Sequence, residues 1–420
     1  SAGASSGSDA ARHMTPPDIF SAEFARDPYP LYRIMRDEFP LYFHPGANAY
    51  ILSRYADVRL ALTNPEFTTR SYAAQIEPLL GVTVVQLDGS EHARQRRLLA
   101  APFRADRFLS VYGSAIGDVA DGLLEGLEGR EEVELVRDFI TPFSVAALAT
   151  VVGLPKSDLG LFRSWYTALL RFGVYLMGDP EVMRAGFAAR DELAAYLRPL
   201  VVQRRQSAEA GFLSTLANAE VDGQRLTDDE IVHFAMLMIF AGGETVERTL
   251  ATFVRNLVAH PAQLAELQQD ETLFDRALAE SLRFTAPTHM IPRRTRNEVI
   301  VSGGNIPAEA EVICFLASAN RDERRFANSD VFDIHRADLD PDSAFHSTAG
   351  HAAFGMGRHF CLGAMMAKIE VEIAVKRLLG RADNVRFANG AAPPDEGLFL
   401  RGPARLPLRF VQSGAPEREI

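Results

Sequence analysis

One cysteine stands where sulfur chemistry is possible. From Phe354 the chain reads F-G-M-G-R-H-F-C-L-G to Gly363, and helical spacing then runs from Ala364 to about Leu379. Cys361 therefore falls just ahead of a helix N-terminus, where free N–H groups and the helix dipole favour thiolate over thiol. Gly355, Gly357 and Gly363 permit tight turns and let a flat ligand approach the backbone closely. Such a thiolate could ligate a metal. It could also be a nucleophile, although no nearby residue is specified as its base, or an inert buried residue.

Four other spacings carry charge or hydroxyls. His92 and Arg96, in H-A-R-Q-R, share one helical face and offer two donors to a carboxylate, or else to solvent. Ala241-Gly242-Gly243-Glu244-Thr245 lies midway along a long apolar helix. There a hydroxyl can bond the carbonyl one turn back, and glycines clear space beside it. Glu280 and Arg283 sit three residues apart and can pair. Pro292-Arg293-Arg294-Thr295 puts two cations side by side, a solvated turn unless something binds there.

In order and spacing these segments resemble the cytochrome P450 family, over nearly the whole chain. The ten-residue string matches the heme-ligand loop F-G-x-G-x-H-x-C-x-G at every specified position. The resemblance implies heme b with Cys361 as the axial thiolate, a ligand that pushes electron density onto iron. It places Phe354, Gly355, His359 and Gly363 against the cofactor and gives the propionates to His92, Arg96, His359 and Arg293. Arg294 replaces Arg293 if the alignment drops one residue. Ala241 and Gly242 would line an oxygen groove, with Thr245 and Glu244 as the catalytic proton relay. Glu280 and Arg283 would form a buried structural pair completed by Arg336.

The implied activity is a monooxygenase that activates dioxygen with two electrons from NAD(P)H, delivered by a ferredoxin and its reductase. It would hydroxylate or epoxidise a small to medium apolar substrate. A peroxide-driven heme-thiolate enzyme, or a heme-binding sensor, would keep Cys361 as well. Tyr72, Ile76, Leu79, Leu80, Val82, Val85, Phe234, Met238 and Phe399 would face the substrate, with His289 as a polar handle. Arg94, Arg97 and Arg358 would make a basic docking face. Val246 stands where the family often has a second Thr, the stretch 337–351 is long and polar, and Glu309 replaces the usual Gly of an I-P-x-G turn, which implies a different turn.

The frame for these residues is mainly α with small β-sheets, expected as a single heme domain over 14–420 with a long central helix over the heme. Residues 1–13 have the look of an expression-tag remnant. Thr227 and Glu230 have capping-box spacing and open a helix that reaches Ala259, before His260-Pro261. Strand signals are short: Ala49 to Leu52, Val299 to Val301, and Val312 to Phe315. Composition is globular, 47% apolar and 24% charged. A net charge of −11 excludes a nucleic-acid footprint. Two cysteines exclude a disulfide framework and a four-thiolate cluster. The longest apolar stretch, 139–154, is broken by Pro142, so no membrane span is expected. The expected setting is a reduced cytoplasm, with the chain a monomer.

Overall fold

The computed structural model describes residues 15–174, 179–206 and 211–412; the tag reading on 1–13 lies outside them. The long helix spans Asp228–Ala259, 32 residues or about 48 Å at 1.5 Å rise. Its capping box is closed in both directions: Glu230 N–H donates to Thr227 Oγ1 at 3.1 Å, and Thr227 N–H donates to Glu230 Oε2 at 2.8 Å. Glu230 also pairs with Arg94, which ties the start of this helix to the helix Gly89–Leu99. Apolar side chains almost all round bury the long helix against Thr141–Val152, Pro180–Arg205, Phe274–Phe284 and Ala364–Leu379.

The three strand signals appear as strands Ala49–Leu52, Val299–Val301 and Glu311–Phe315. The main sheet has the order Leu41–His44, Ala49–Leu52, Glu311–Phe315, Met290–Thr295, Phe67–Thr68. Its pairs are antiparallel except Glu311–Phe315 on Ala49–Leu52, which is parallel, with Val312 opposite Tyr50. Cys314 is buried in this sheet, and burial pushes its thiol up to about 12, so it stays a neutral apolar residue. Among the described residues no helix is long and apolar enough to cross a membrane.

The turn after Ile306-Pro307 corrects an expectation. Glu309 itself takes the left-handed backbone (φ 58°) that a glycine favours, and Arg294 holds its carboxylate at 3.2 Å. Elsewhere the pair foreseen in sequence is closed: Arg283 reaches Glu280 at 2.7 and 2.8 Å, and Arg336 reaches it at 2.9 Å, all three buried. Arg283 also donates to the carbonyls of Asn320 (3.0 Å) and Ser329 (2.8 Å). Asn320 in turn accepts from Ala352 N–H at 2.7 Å, so the network braces the chain that enters the cysteine loop.

Candidate active site

The cysteine loop is folded by its own backbone. Gly355 N–H donates to Ala352 O (2.9 Å), Phe360 N–H to Gly357 O (3.0 Å) and Cys361 N–H to Phe354 O (2.9 Å). Gly355 and Gly357 adopt φ 71° and 69°. A side chain on Gly357 would also sit 2.8 Å from Leu62 O, so that position is closed to larger residues. Gly363 then begins the helix Ala364–Leu379. Cys361 is exposed to solvent. Burial pushes its thiol up, while the N–H groups of Gly363 and Ala364 and the Arg96 charge oppose that shift by favouring thiolate.

Cations and imidazoles gather around this loop. Arg96 Nη2 donates to Phe360 O at 2.6 Å, and the His92 and His359 rings lie 4.1 Å apart. His92 is buried and its Nε2 has no partner; burial and the neighbouring cations push it down to about 4, so it is neutral at pH 7. Arg293 is buried beside the Tyr72 hydroxyl and within the field of His359, whereas Arg294 turns away to Glu309 and Glu311. Of the two adjacent arginines, the structure brings Arg293 to the loop.

Asp88, at the start of the His92 helix, organises this side. Its carboxylate accepts from Thr69 N–H at 3.1 Å and lies 3.3 Å from His359 Nε2 and 3.2 Å from Arg358. Burial opposes ionisation, but the hydrogen bonds from His359 and Thr69 and the Arg358 charge hold it at about 2. Sequence reasoning missed Asp88; an aspartate just ahead of a helix is the signal, here used for the loop instead of for its own helix.

On the long helix, Thr245 Oγ1 donates to Ala241 O at 2.8 Å, the bond anticipated for a helical hydroxyl. Ala241 is exposed in the middle of the long helix, two residues after the buried run Phe234 to Ile239. Glu244 is half-buried and held by Arg248 at 3.3 Å, and Arg248 reaches Gly402 O at 3.2 Å. Gly242 faces Leu148 at ordinary contact distance, but a side chain on Gly243 would collide with Tyr166. Glu247 and Glu370 are two further acids the sequence reading did not single out. Glu370 is fully buried, its Oε1 has no partner, and burial alone pushes it up to about 8.

Several anticipated positions fall elsewhere. His289 is not a pocket handle: it is fully buried, with Nδ1 2.8 Å from Tyr32 Oη, because this residue, just ahead of the strand Met290–Thr295, packs its ring against the N-terminal helix Tyr29–Glu38. Leu79, Leu80, Phe234 and Met238 are packed in the core, whereas Val82 and Phe399 are exposed. The three arginines expected to form a basic face are each neutralised. Arg94 meets Glu91 and Glu230, Arg97 meets Asp222 at 2.7 Å, and Arg358 meets Asp88.

The donor set fits heme. Among the described residues no group of three or more His, Cys, Asp or Glu could hold a bare ion, so a metal here must bring most of its own ligands. Cys361 offers one soft, solvent-exposed donor. Arg96, Arg293 and the unpartnered His92 supply charge and a hydrogen bond for carboxylates beside it. A Cβ on Gly355 would meet nothing nearer than 3.9 Å, so the loop leaves room for a flat face.

Comparison with known proteins agrees. Residues 158–383 match the family described as Cytochrome P450. The chain is 33% identical to pulcherriminic acid synthase of Bacillus subtilis (strain 168) over 394 residues, 93% of this chain and 97% of that protein. It is 31% identical to the vitamin D(3) 25-hydroxylase of Pseudonocardia autotrophica, over 93% of this chain and 96% of that one. Among solved structures, cytochrome P450 CYP109Q5 from Chondromyces apiculatus superposes with a TM-score of 0.84 at 29% identity, covering 95% and 99% of the two chains.

Proposed function

The chain belongs to the cytochrome P450 family, a family of heme b monooxygenases, and we propose that it is a ferredoxin-dependent member acting on an apolar small molecule. Cys361 would hold the iron of the heme b, and Arg96, His92, Arg293 and His359 would meet its propionates. When bound, the heme supplies reductive activation of dioxygen and transfer of one oxygen atom to substrate.

The protein's contributions follow from its own groups. The N–H groups of Gly363 and Ala364 stabilise negative charge on Cys361 Sγ. Asp88 fixes Arg358 and His359 and so limits movement of the loop that carries the thiolate. Thr245 Oγ1 holds a proton that its carbonyl partner, Ala241, keeps oriented, and Glu244, positioned by Arg248, can carry a proton from solvent to that turn.

The observation that carries the reading is a solvent-exposed Cys361 in a loop whose glycines hold it, with the backbone N–H groups of Gly363 and Ala364 turned to its sulfur. Cys361→Ala tests it: the reduced carbon-monoxide difference spectrum of the thiolate type should vanish, and an unaltered spectrum overturns the assignment. The electron route has its own test. Product should form with NAD(P)H, a ferredoxin and its reductase; product formed only with peroxide would remove the ferredoxin from the reading.

A further inference from the structure

The helix Ser71–Leu80 cannot hold itself. It has ten residues, and Pro78 inside it has no N–H to give the carbonyl of Ala74. Helices this short are marginal without outside support. Among its described side chains only those of Ser71, Leu79 and Leu80 are buried. Its support comes from elements on opposite sides of the site. At the start, Ser71 Oγ donates to Glu311 Oε2 at 2.5 Å, and Tyr72 follows beside Arg293 on the neighbouring strand of the main sheet. At the end, carbonyls that a helix C-terminus leaves free are taken by other elements. Arg190 Nη1, from the helix Pro180–Arg205, donates to Pro78 O at 2.7 Å. His233 on the long helix puts Nδ1 3.3 Å from Val82 O, and its ring covers Gly81, where a Cβ would lie 2.5 Å away. Gln86 Nε2 donates to Gly81 O at 2.9 Å. The helix thus runs from Arg293 on the cysteine side to a point on the long helix about 18 Å before Thr245.

Arg190 is prepared for its bond. Asp191 holds Nε at 2.8 Å and Nη2 at 2.7 Å, and the guanidinium lies 4.9 Å from the centroid of the Phe187 ring, which leaves Nη1 for the carbonyl. A cation at a helix C-terminus is also favoured by the helix dipole. We propose that Ser71–Leu80 is a strap across the heme site and that Arg190 is the positioning residue that latches it. Breaking the bond from Arg190 to Pro78 O frees the C-terminal end of the strap and admits apolar molecules too large to pass the latched form. What lies beneath the strap rests on the monooxygenase reading. The latched end is the one that opens, because the Arg190 side chain is 30% exposed and can exchange the carbonyl for water, whereas Ser71 is 7% exposed.

The test uses the heme-loaded protein, with hydrogen exchange followed by mass spectrometry and stopped-flow binding of two iron ligands, imidazole and the bulkier phenylimidazole. Arg190→Ala should speed exchange of amides in 71–82 about threefold or more, the scale of one lost hydrogen bond. It should raise the association and dissociation rates of phenylimidazole together, leave its Kd within about twofold, and leave the imidazole rates and the carbon-monoxide spectrum unchanged. Rates that rise together mark a latch, whereas loss of a ligand contact would raise dissociation alone. Arg190→Lys keeps a cation able to reach Pro78 O and should fall between. Pro78→Ala restores an N–H for Ala74 and should slow both the exchange and the phenylimidazole rates. Unaltered exchange or unaltered phenylimidazole rates in Arg190→Ala overturn the proposal, and so does faster exchange in Pro78→Ala. The exchange arm reads the strap alone, so a Cys361→Ala spectrum that refutes the heme-thiolate reading is a separate failure.

Discussion

The two sides of the site are held by different forces. On the cysteine side the loop is held by ion pairs: Asp88 takes Arg358 and His359, and the loop's approach is braced by Glu280, Arg283 and Arg336. On the long-helix side the holding bonds are mostly hydroxyl to carbonyl or hydroxyl to carboxyl, as for Thr245, Thr141 and Tyr166. Buried ion pairs specify one arrangement and are costly to break, because removing one partner strands the other. Neutral hydroxyls cost little to rearrange and can pass a proton without separating charge. The side proposed to fix a ligand is held by ion pairs, and the long-helix side mainly by hydroxyls, with Glu244 and Arg248 paired beside them.

Glu280→Ala is the strongest challenge to that contrast. It leaves Arg283 buried without a carboxylate and Arg336 with Asp338 alone. Loss of stability should be about 3–5 kcal/mol in urea unfolding, with the cysteine loop destabilised through Asn320 and Ala352. A loss near zero would mean that the charged bracing is ornamental.

Glu370 is the exception on the cysteine side, a lone acid with no partner, and its effect depends on pH. Its folded pKa, about 8, lies above the usual 4.5, so the unfolded chain releases the proton first. The contribution is therefore fully present below pH 4.5 and is lost as pH rises toward 8, about 3 kcal/mol by pH 7. Glu370→Gln should flatten that slope in unfolding measured from pH 5 to 8. An unchanged slope would place the titrating group elsewhere.

The contrast also explains what could be read from the sequence. Local devices were legible: the capping box at Thr227, the three strands, the Thr245 bond to Ala241, and the Glu280–Arg283 pair all depend on residues within a few positions of each other. The cysteine loop was legible because its backbone needs glycine at fixed places. Asp88 with His359, 271 residues apart, was not, and neither was Thr141 with Glu247, 106 apart. Such meetings depend on tertiary packing, which no spacing encodes. The same limit misplaced His289, whose ring is taken by Tyr32, 257 residues away. It also hid the carboxylates that neutralise Arg94 and Arg97, two of them beyond position 220.

Asp88→Asn should have a smaller effect, about 1–2 kcal/mol at pH 7, since the site is partly open to solvent. Asp88 is lowered from 3.8 to about 2, so its contribution is present above pH 3.8 and is lost as pH falls through 2. The variant should lose that acid-limb dependence and release heme faster to an apoprotein acceptor. Wild-type heme retention in Asp88→Asn would show that Arg358 and His359 hold the loop without it.

Thr245→Ala should change stability least and still separate the two sides. The hydroxyl bonds only its own helix, and alanine favours helix by about 0.5 kcal/mol over threonine, so unfolding should shift by less than about 1 kcal/mol in either direction. The carbon-monoxide spectrum should also be unaltered, because the cysteine side is untouched. What should change is the ratio of product to NAD(P)H consumed, which should fall severalfold as protons cease to arrive in order. A fall in stability of several kcal/mol would make Thr245 a structural residue of the helix. Full coupling in the alanine variant would move the relay to the carboxyls alone, leaving the hydroxyls of this side with a packing role.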